Sequence, residues 1–103
     1  MLSGVNRERT RHGLLALRID RGLQARARAH CRWMAETGRF EHTPGNLIEN
    51  IGEGHADTSI VLKAWMGSRG HRGNILDPAA RTIGVAGYAV KGGKPYWVQR
   101  FRR

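Results

Sequence analysis

The spacing of apolar residues predicts helices in the first two thirds of the chain. Apolar side chains between Leu23 and Met34 recur at helical spacing and share one narrow stripe of a helical wheel. Asp20 precedes this stripe as an N-cap, and Gly38 follows Thr37 as a stop signal. The pattern therefore predicts a long helix from about Asp20 to Thr37, with its apolar stripe turned toward a core.

Two shorter helices are predicted on either side of the long one. Ser3 stands as an N-cap before a mostly polar helix over residues 5–12. Asp57 or Thr58 stands as an N-cap before a more apolar helix over residues 60–66. A glycine-punctuated stretch follows the second of these helices, and we expect a turn there that leads into a short helical segment.

The C-terminal third changes to a β-rich pattern. Residues 82–90 and 95–101 are runs of β-forming side chains, and residues 91–94 form a hairpin connection between them. Residues 40–54 match neither period and are predicted to form a loop. Helices followed by a hairpin indicate an α+β fold with helices packed on a small antiparallel sheet, and residues 1–103 allow one such domain.

The net charge of the chain predicts the kind of partner that it binds. The chain carries 18 Lys plus Arg against 8 Asp plus Glu, a formal net charge of +10, and most of the basic residues are arginine. An anionic surface or polymer is therefore the expected partner, whether lipid, glycan or nucleic acid. The exposed side of the long helix bears arginines that we interpret as a solvated face. Those arginines are Arg21, Arg28, Arg32 and Arg39. Nucleic acid is the less favoured partner, because few aromatic residues are left for base stacking.

Cysteine content and hydropathy indicate neither a disulfide nor a membrane-spanning segment. A lone Cys31 forms no intramolecular disulfide, and we interpret it as a packed thiol rather than a nucleophile. No apolar run approaches the roughly 20 residues needed to span a bilayer. The N-terminus runs directly into a charged helical pattern, so we expect no signal peptide in the chain as given.

The candidate chemistry lies in the middle of the chain, where acidic residues outnumber basic ones. His42, Glu49, Ser68 and His71 include two imidazoles and a carboxylate, which are ligand types that zinc accepts. His42 and His71 are the candidate metal ligands, with Glu49 as a further one. An alternative is a hydrolase with a histidine as general base, Glu49 as its orienting carboxylate and Ser68 as nucleophile. Other histidines are weaker candidates, and His30, on the apolar stripe, is interpreted as a core residue.

A series of residues along the whole chain resembles one family. The residues that carry the resemblance, in chain order, are Val5-Asn6, Arg9, Leu17, Asp20, Leu23, Ala27, His30, Met34-Ala35, Phe40, His42-Thr43, Glu49-Asn50-Ile51, Trp65, Ser68, His71-Arg72, Asn74-Ile75-Leu76, Ile83-Gly84-Val85, Tyr96-Trp97, Gln99 and Phe101. This series is similar to the bacterial, SCP-like branch of the CAP superfamily, which groups cysteine-rich secretory, antigen 5 and pathogenesis-related proteins.

The resemblance implies a three-layer α-β-α sandwich with a central cleft lined by two histidines and two acidic residues, which in some members holds zinc or another divalent ion. His42, His71 and Glu49 match three of these positions. Ser68 stands where the eukaryotic pattern has the second glutamate, so the cleft has one negative charge fewer. The resemblance further implies a binding module in the extracellular space or the cell envelope, with lipid, glycan or another anionic ligand as its partner.

Overall fold

The computed structural model describes all 103 residues and contains four α-helices and a four-stranded sheet. In chain order the elements are α1 (Leu2–Arg11), β1 (Arg18–Ile19), α2 (Arg21–Thr37), β2 (Ile48–Glu53), α3 (Thr58–Met66), α4 (Arg69–Ile75), β3 (Thr82–Tyr88) and β4 (Tyr96–Arg102). None of the helices combines the length and the apolar character that crossing a bilayer requires.

Local capping chemistry sets the ends of α2 and α3. The Asp20 side chain accepts a hydrogen bond from the Leu23 backbone N–H at 2.8 Å, and Gly38 ends α2 with a φ of 72°. Asp57 caps α3 in the same way through the Ile60 N–H at 3.0 Å. These boundaries confirm the predicted ones. The Ser3 cap predicted for α1 is wrong, because the helix begins at residue 2 and Ser3 lies inside its first turn.

The sheet has the strand order β1-β3-β4-β2 and is mixed. β3 and β4 form the predicted antiparallel hairpin, and β2 pairs antiparallel with the other side of β4. β1 is a two-residue strand that pairs parallel to β3, so the sheet is not purely antiparallel. The predicted loop over residues 40–54 is wrong in its second half, since residues 48–53 form β2. This polar segment is a strand because it pairs with β4 through backbone hydrogen bonds, and its own sequence has no strand-like alternation.

Helices cover both faces of the sheet and give the predicted α-β-α sandwich. α2 packs on one face, where Ala27, Cys31 and Met34 meet Ile51 and Val98. The helices α1, α3 and α4 cover the other face around a second buried cluster. The fully or nearly buried members of that cluster are Val5, Leu17, Val61, Trp65, Ile75, Ala80, Ile83 and Phe101. Each core is small, and the two share the sheet as a common wall.

A close approach between α2 and β3 requires a glycine. A Cβ atom on Gly84 would collide with the backbone of Leu23 and Gln24. The Gln24 side chain also accepts a hydrogen bond from the Val85 N–H at 2.8 Å. The helix therefore lies directly on the strand, and this contact fixes the height of α2 above the sheet.

A buried arginine joins the first helix to the segment between α4 and β3. Arg9 is fully buried, and its guanidinium donates to the Leu15, Ile75, Asp77 and Ala80 carbonyls at 2.7 to 3.3 Å. Buried backbone carbonyls need donors, and one arginine can supply several of them. Arg9 thus works as an internal clamp, although the mostly polar sequence of α1 predicts a helix with little to bury.

Candidate functional site

Glu49 anchors one half of the candidate site. It lies on β2 with a side chain only 2% exposed, and its Oε1 atom is 3.0 Å from His42 Nδ1. The same oxygen accepts a hydrogen bond from the Thr43 N–H at 2.9 Å. The His42 ring itself is 58% exposed. A buried carboxylate thus holds Nδ1 of an accessible imidazole, and Nε2 is the nitrogen that this contact leaves free.

The second oxygen of Glu49 is occupied as well. Thr43 Oγ1 donates to Oε2 at 2.8 Å, and Arg100 Nη2 donates to the same atom at 3.0 Å. Burial acts to raise the pKa of Glu49, but the hydrogen bonds from Thr43, His42 and Arg100 together outweigh it and leave this pKa below its usual value. Glu49 is therefore an ionised, fully hydrogen-bonded group that orients His42, and neither oxygen is free to project into solvent.

Ser68 and His71 form the other half of the candidate site. Ser68 stands at the N-cap position of α4, but its hydroxyl lies 3.0 Å from His71 Nδ1 instead of capping the helix. Burial first, and the nearby charge of His42 second, lower the pKa of His71. The His71 ring is thus biased toward its neutral form, with one nitrogen held by a hydroxyl.

A buried amide cluster supports this second half. Asn50 donates to the His71 carbonyl and to Gln99 Oε1, both at 3.1 Å. Asn74 in turn donates to Asn50 Oδ1 at 2.9 Å. Asn50 and Gln99 are completely buried, so these bonds are structural. Together the amides tie β2 and β4 to α4, which carries His71.

The two halves approach each other without merging into one pocket. His71 and Ser68 line a cavity of about 290 Å³ at the edge of β2. His42 lines a neighbouring cavity of about 480 Å³ with Trp33 and Arg39. The influence of His42 on the pKa of His71 shows that the rings lie within electrostatic reach of each other.

Metal binding has a restricted donor set in this arrangement. The fold gives two imidazoles, each with its Nδ1 held from behind by an oxygen, as in histidines that bind a metal through Nε2. No group of three or more His, Cys, Asp or Glu side chains converges as metal ligands. Both Glu49 oxygens already accept hydrogen bonds. The free donors of the arrangement are therefore limited to the two imidazoles, with Glu49 engaged behind His42.

A Ser-His-carboxylate triad is not assembled on a single ring. Ser68 contacts His71, whereas Glu49 contacts His42. The three residue types that the hydrolase alternative requires are present, but they are divided between two imidazoles. Acid–base chemistry of the triad type depends on both partners holding the same ring.

Two other sequence interpretations can be compared with the observed positions. Trp65, which follows Val61 by one helical turn and is therefore expected to face the core, is 2% exposed, and its indole N–H donates to the Ile51 carbonyl at 3.0 Å. The apolar stripe predicts His30 in the core, but this residue is half-buried at the surface. Its Nε2 contacts the Glu41 carbonyl at 2.6 Å, and its ring stacks on Trp33. The interpretation of His30 is therefore wrong as to burial.

Arg100 and Thr43 complete the site, and the sequence pattern does not predict them as site residues. Arg100 is 4% exposed, which is rare for an arginine, and nothing in the local sequence distinguishes it from the neighbouring Arg102. Its position opposite Glu49 in the β2–β4 register is the only signal, and that signal requires β2 to be recognised as a strand.

Solved structures with the same architecture define the class of protein. An outer surface protein from Borrelia burgdorferi superposes with a TM-score of 0.88 at 19% identity, over 97% of this chain and 86% of that one. An extracellular protein containing an SCP domain, from Bacillus anthracis, superposes with a TM-score of 0.80 at 28% identity, over 96% of this chain and 37% of that one. The fold is that of SCP domains.

Sequence comparison identifies the family. The model of the CAP family, described as the cysteine-rich secretory protein family, matches residues 2–101, and the chain belongs to this family. An uncharacterised protein of Bacillus subtilis, YkwD, is 37% identical over 113 aligned positions, which cover 93% of this chain and 43% of that protein. The secreted protein RBT4 of Candida albicans is 30% identical over 71% of this chain and 20% of its own length. The chain thus spans less than half of each of these two relatives.

Proposed function

We propose that this chain is an extracellular or envelope-associated binding domain that holds a divalent cation, such as zinc, between His42 and His71. The observation that carries the proposal is the matched presentation of the two rings. Each Nδ1 lies 3.0 Å from an internal oxygen, which belongs to Glu49 for His42 and to Ser68 for His71. A bound ion would supply a positive centre with open water positions for an anionic or carbonyl-bearing ligand.

The proposed placement outside the cell draws on family membership and on the relatives. One similar structure is described as an extracellular protein, another as an outer surface protein, and one relative as secreted. The net charge of +10 supports attachment to an anionic surface of lipid or glycan. Exposed arginines on α2 contribute to that charge.

The cation proposal is tested by zinc titration of the purified chain in a calorimeter. We expect the wild-type protein to bind one ion and both His42→Ala and His71→Ala to bind it at least about tenfold more weakly, since removing one of two ligands removes much of the affinity. Affinity should also fall in acid, because both imidazoles must be neutral to bind.

His12→Ala is the matched control, because His12 lies at the end of α1 and contacts the Glu8 carbonyl and Arg72 instead of the site. This variant should bind zinc like the wild type. If His42→Ala and His71→Ala gave isotherms indistinguishable from that of the control, the proposed cation site would be excluded.

A further inference from the structure

A second pocket, rich in arginine, lies on the α2 side of the sheet. It is formed by the first half of α2, the residues that lead into β2, and the end of β4, and its volume is about 320 Å³. Arg26, Arg100, Arg102 and Arg103 contribute to its lining, and no Asp or Glu does. Three of these guanidinium groups pair with carboxylates that lie outside the lining, and the excess of positive charge at the cavity indicates a site for an anion.

The hydrogen-bonding capacity of these arginines is mostly unused. Arg102 contacts Asp20 at 3.4 Å and Arg103 contacts Asp77 at 2.8 Å, each through a single exposed ion pair. Arg26 forms no direct ion pair, although its charge helps to lower the pKa of Asp20. Because each guanidinium has five N–H donors, several donors at the pocket remain available to a ligand.

Arg100 lies at the inner wall of the pocket. Its side chain is 5% exposed, and Nη2 is bonded to Glu49 and Thr43. Its Nε atom is buried and has no hydrogen-bond partner in the protein. Buried donors without an acceptor are rare, because their desolvation is not compensated. This donor is enclosed within the protein, so Arg100 contributes positive charge to the inner wall of the pocket and not a free N–H group.

The remaining lining is apolar. Leu47 is 46% exposed and stands beside the half-buried Ile48. The volume is also larger than a single inorganic anion needs and falls in the range of sites for small organic ligands. The pocket therefore fits a ligand with an anionic group at one end and an apolar portion at the other.

We propose that this pocket binds the phosphate group of a phosphate ester, with the organic portion of the ester against Leu47 and Ile48. Guanidinium groups approach from α2 and from β4, so an anion that accepts hydrogen bonds on three or four oxygens uses them better than a carboxylate with two. The inference deepens the proposed attachment to an anionic surface, on which it rests, and it is tested apart from the cation site, to which Arg100 connects the pocket through Glu49.

Inorganic phosphate is the first probe, added to the full chain and followed by amide chemical shifts. We expect saturable binding in the wild type, with shifts concentrated around Arg26, Leu47 and Arg102. The double variant Arg26→Ala/Arg102→Ala should bind at least about tenfold more weakly, because two charge-assisted contacts are removed.

The matched control is Arg21→Ala/Arg28→Ala, which makes the same change in net charge but on α2 positions outside the pocket. Its phosphate affinity should stay within about twofold of the wild type, since long-range charge is screened by salt. Equal weakening in both double variants, or no saturable binding by the wild type, would overturn the proposal.

Vesicles identify the source of the phosphate group. Wild-type protein, pocket variant and control are compared on phosphatidylcholine vesicles with and without phosphatidic acid, whose headgroup is a phosphate monoester. Binding that is weaker for the pocket variant than for the control assigns the pocket to a lipid headgroup, whereas equal binding assigns it to a soluble phosphate ester. Failure of the wild type to bind the anionic vesicles would overturn the attachment to an anionic lipid surface, while the pocket itself is judged by the phosphate titration.

Discussion

The two halves of the candidate site hold similar imidazoles by different means. Behind His42 lies a charged cluster in which Glu49 is paired with Arg100 and both are almost fully buried. Behind His71 lies a neutral cluster in which Asn50 donates amide hydrogen bonds to Gln99 and to the His71 carbonyl. In the charged half, each buried ion is stabilised by the opposite charge of the other, whereas in the neutral half the amides satisfy one another by hydrogen bonds. Removing one side chain should therefore lower the free energy of unfolding more in the charged half than in the neutral half.

The largest expected effect comes from breaking the charged cluster. Glu49→Ala removes the carboxylate and leaves Arg100 buried without its counter-ion, which should lower the free energy of unfolding by about 3–5 kcal/mol. Urea denaturation followed by circular dichroism would measure the loss. Glu53→Ala is the control on the same strand, because Glu53 forms only a partly exposed pair with Lys94 and should cost no more than about 1 kcal/mol. Similar losses for the two variants would contradict the special role of the buried pair.

A smaller effect is expected from the neutral cluster. Asn50→Ala removes donors to the His71 carbonyl and Gln99 and leaves their acceptors unsatisfied, which should cost about 1–3 kcal/mol. The same denaturation experiment measures it, with the exposed Asn46 changed to Ala as a control. A loss as large as that of Glu49→Ala would show that the two halves do not differ in the way proposed.

The smallest effect is a pH dependence that belongs to the His71 half. Since the pKa of His71 is lowered in the folded state, the unfolded chain takes up a proton at its ordinary value of about 6.5 while the folded ring stays neutral. The contribution of His71 to the free energy of unfolding should therefore be complete above about pH 6.5 and decline as the pH falls from there through the lowered pKa. The metal-free protein would be unfolded with urea at several pH values.

Glu49 affects the stability in a lower pH range than His71, so the contributions of the two halves can be told apart. Its pKa is also lowered on folding, so its contribution is present above the ordinary glutamate value of about 4.3 and is lost only as the pH falls further. His71→Gln should remove the decline that begins near pH 6.5 and leave the acid limb in place. An unchanged slope in this variant would remove His71 as its cause.

The parts of the fold that can be predicted from sequence are those set by local signals. The ends of the long helix are predictable because Asp20 caps it and Gly38 stops it within a few residues of its apolar stripe. The hairpin of β3 and β4 is predictable in the same way. By contrast, β2 escapes prediction because its residues alternate poorly, and its pairing with β4 joins positions about 50 residues apart, such as Asn50 and Gln99.

The candidate site can be predicted as a set of residue types but not as a set of contacts. His42, Glu49, Ser68 and His71 all stand out in the sequence, yet nothing there shows that Glu49 pairs with His42 and Ser68 with His71. Arg100 carries no local signal at all. Which partner reaches which ring depends on the faces of β2 and on the path of α4, and both are decided by long-range packing.

The clamp formed by Arg9 has a consequence for how the chain folds. Three of its carbonyl partners lie 66 to 71 residues further along the chain, so closing this contact requires almost the entire domain to be in place. Such separations raise the contact order, which slows folding and couples the first helix to the last third of the chain. The N-terminal helix is therefore expected to dock late and to come loose only when the segment between α4 and β3 opens with it, which makes these two distant stretches one cooperative unit.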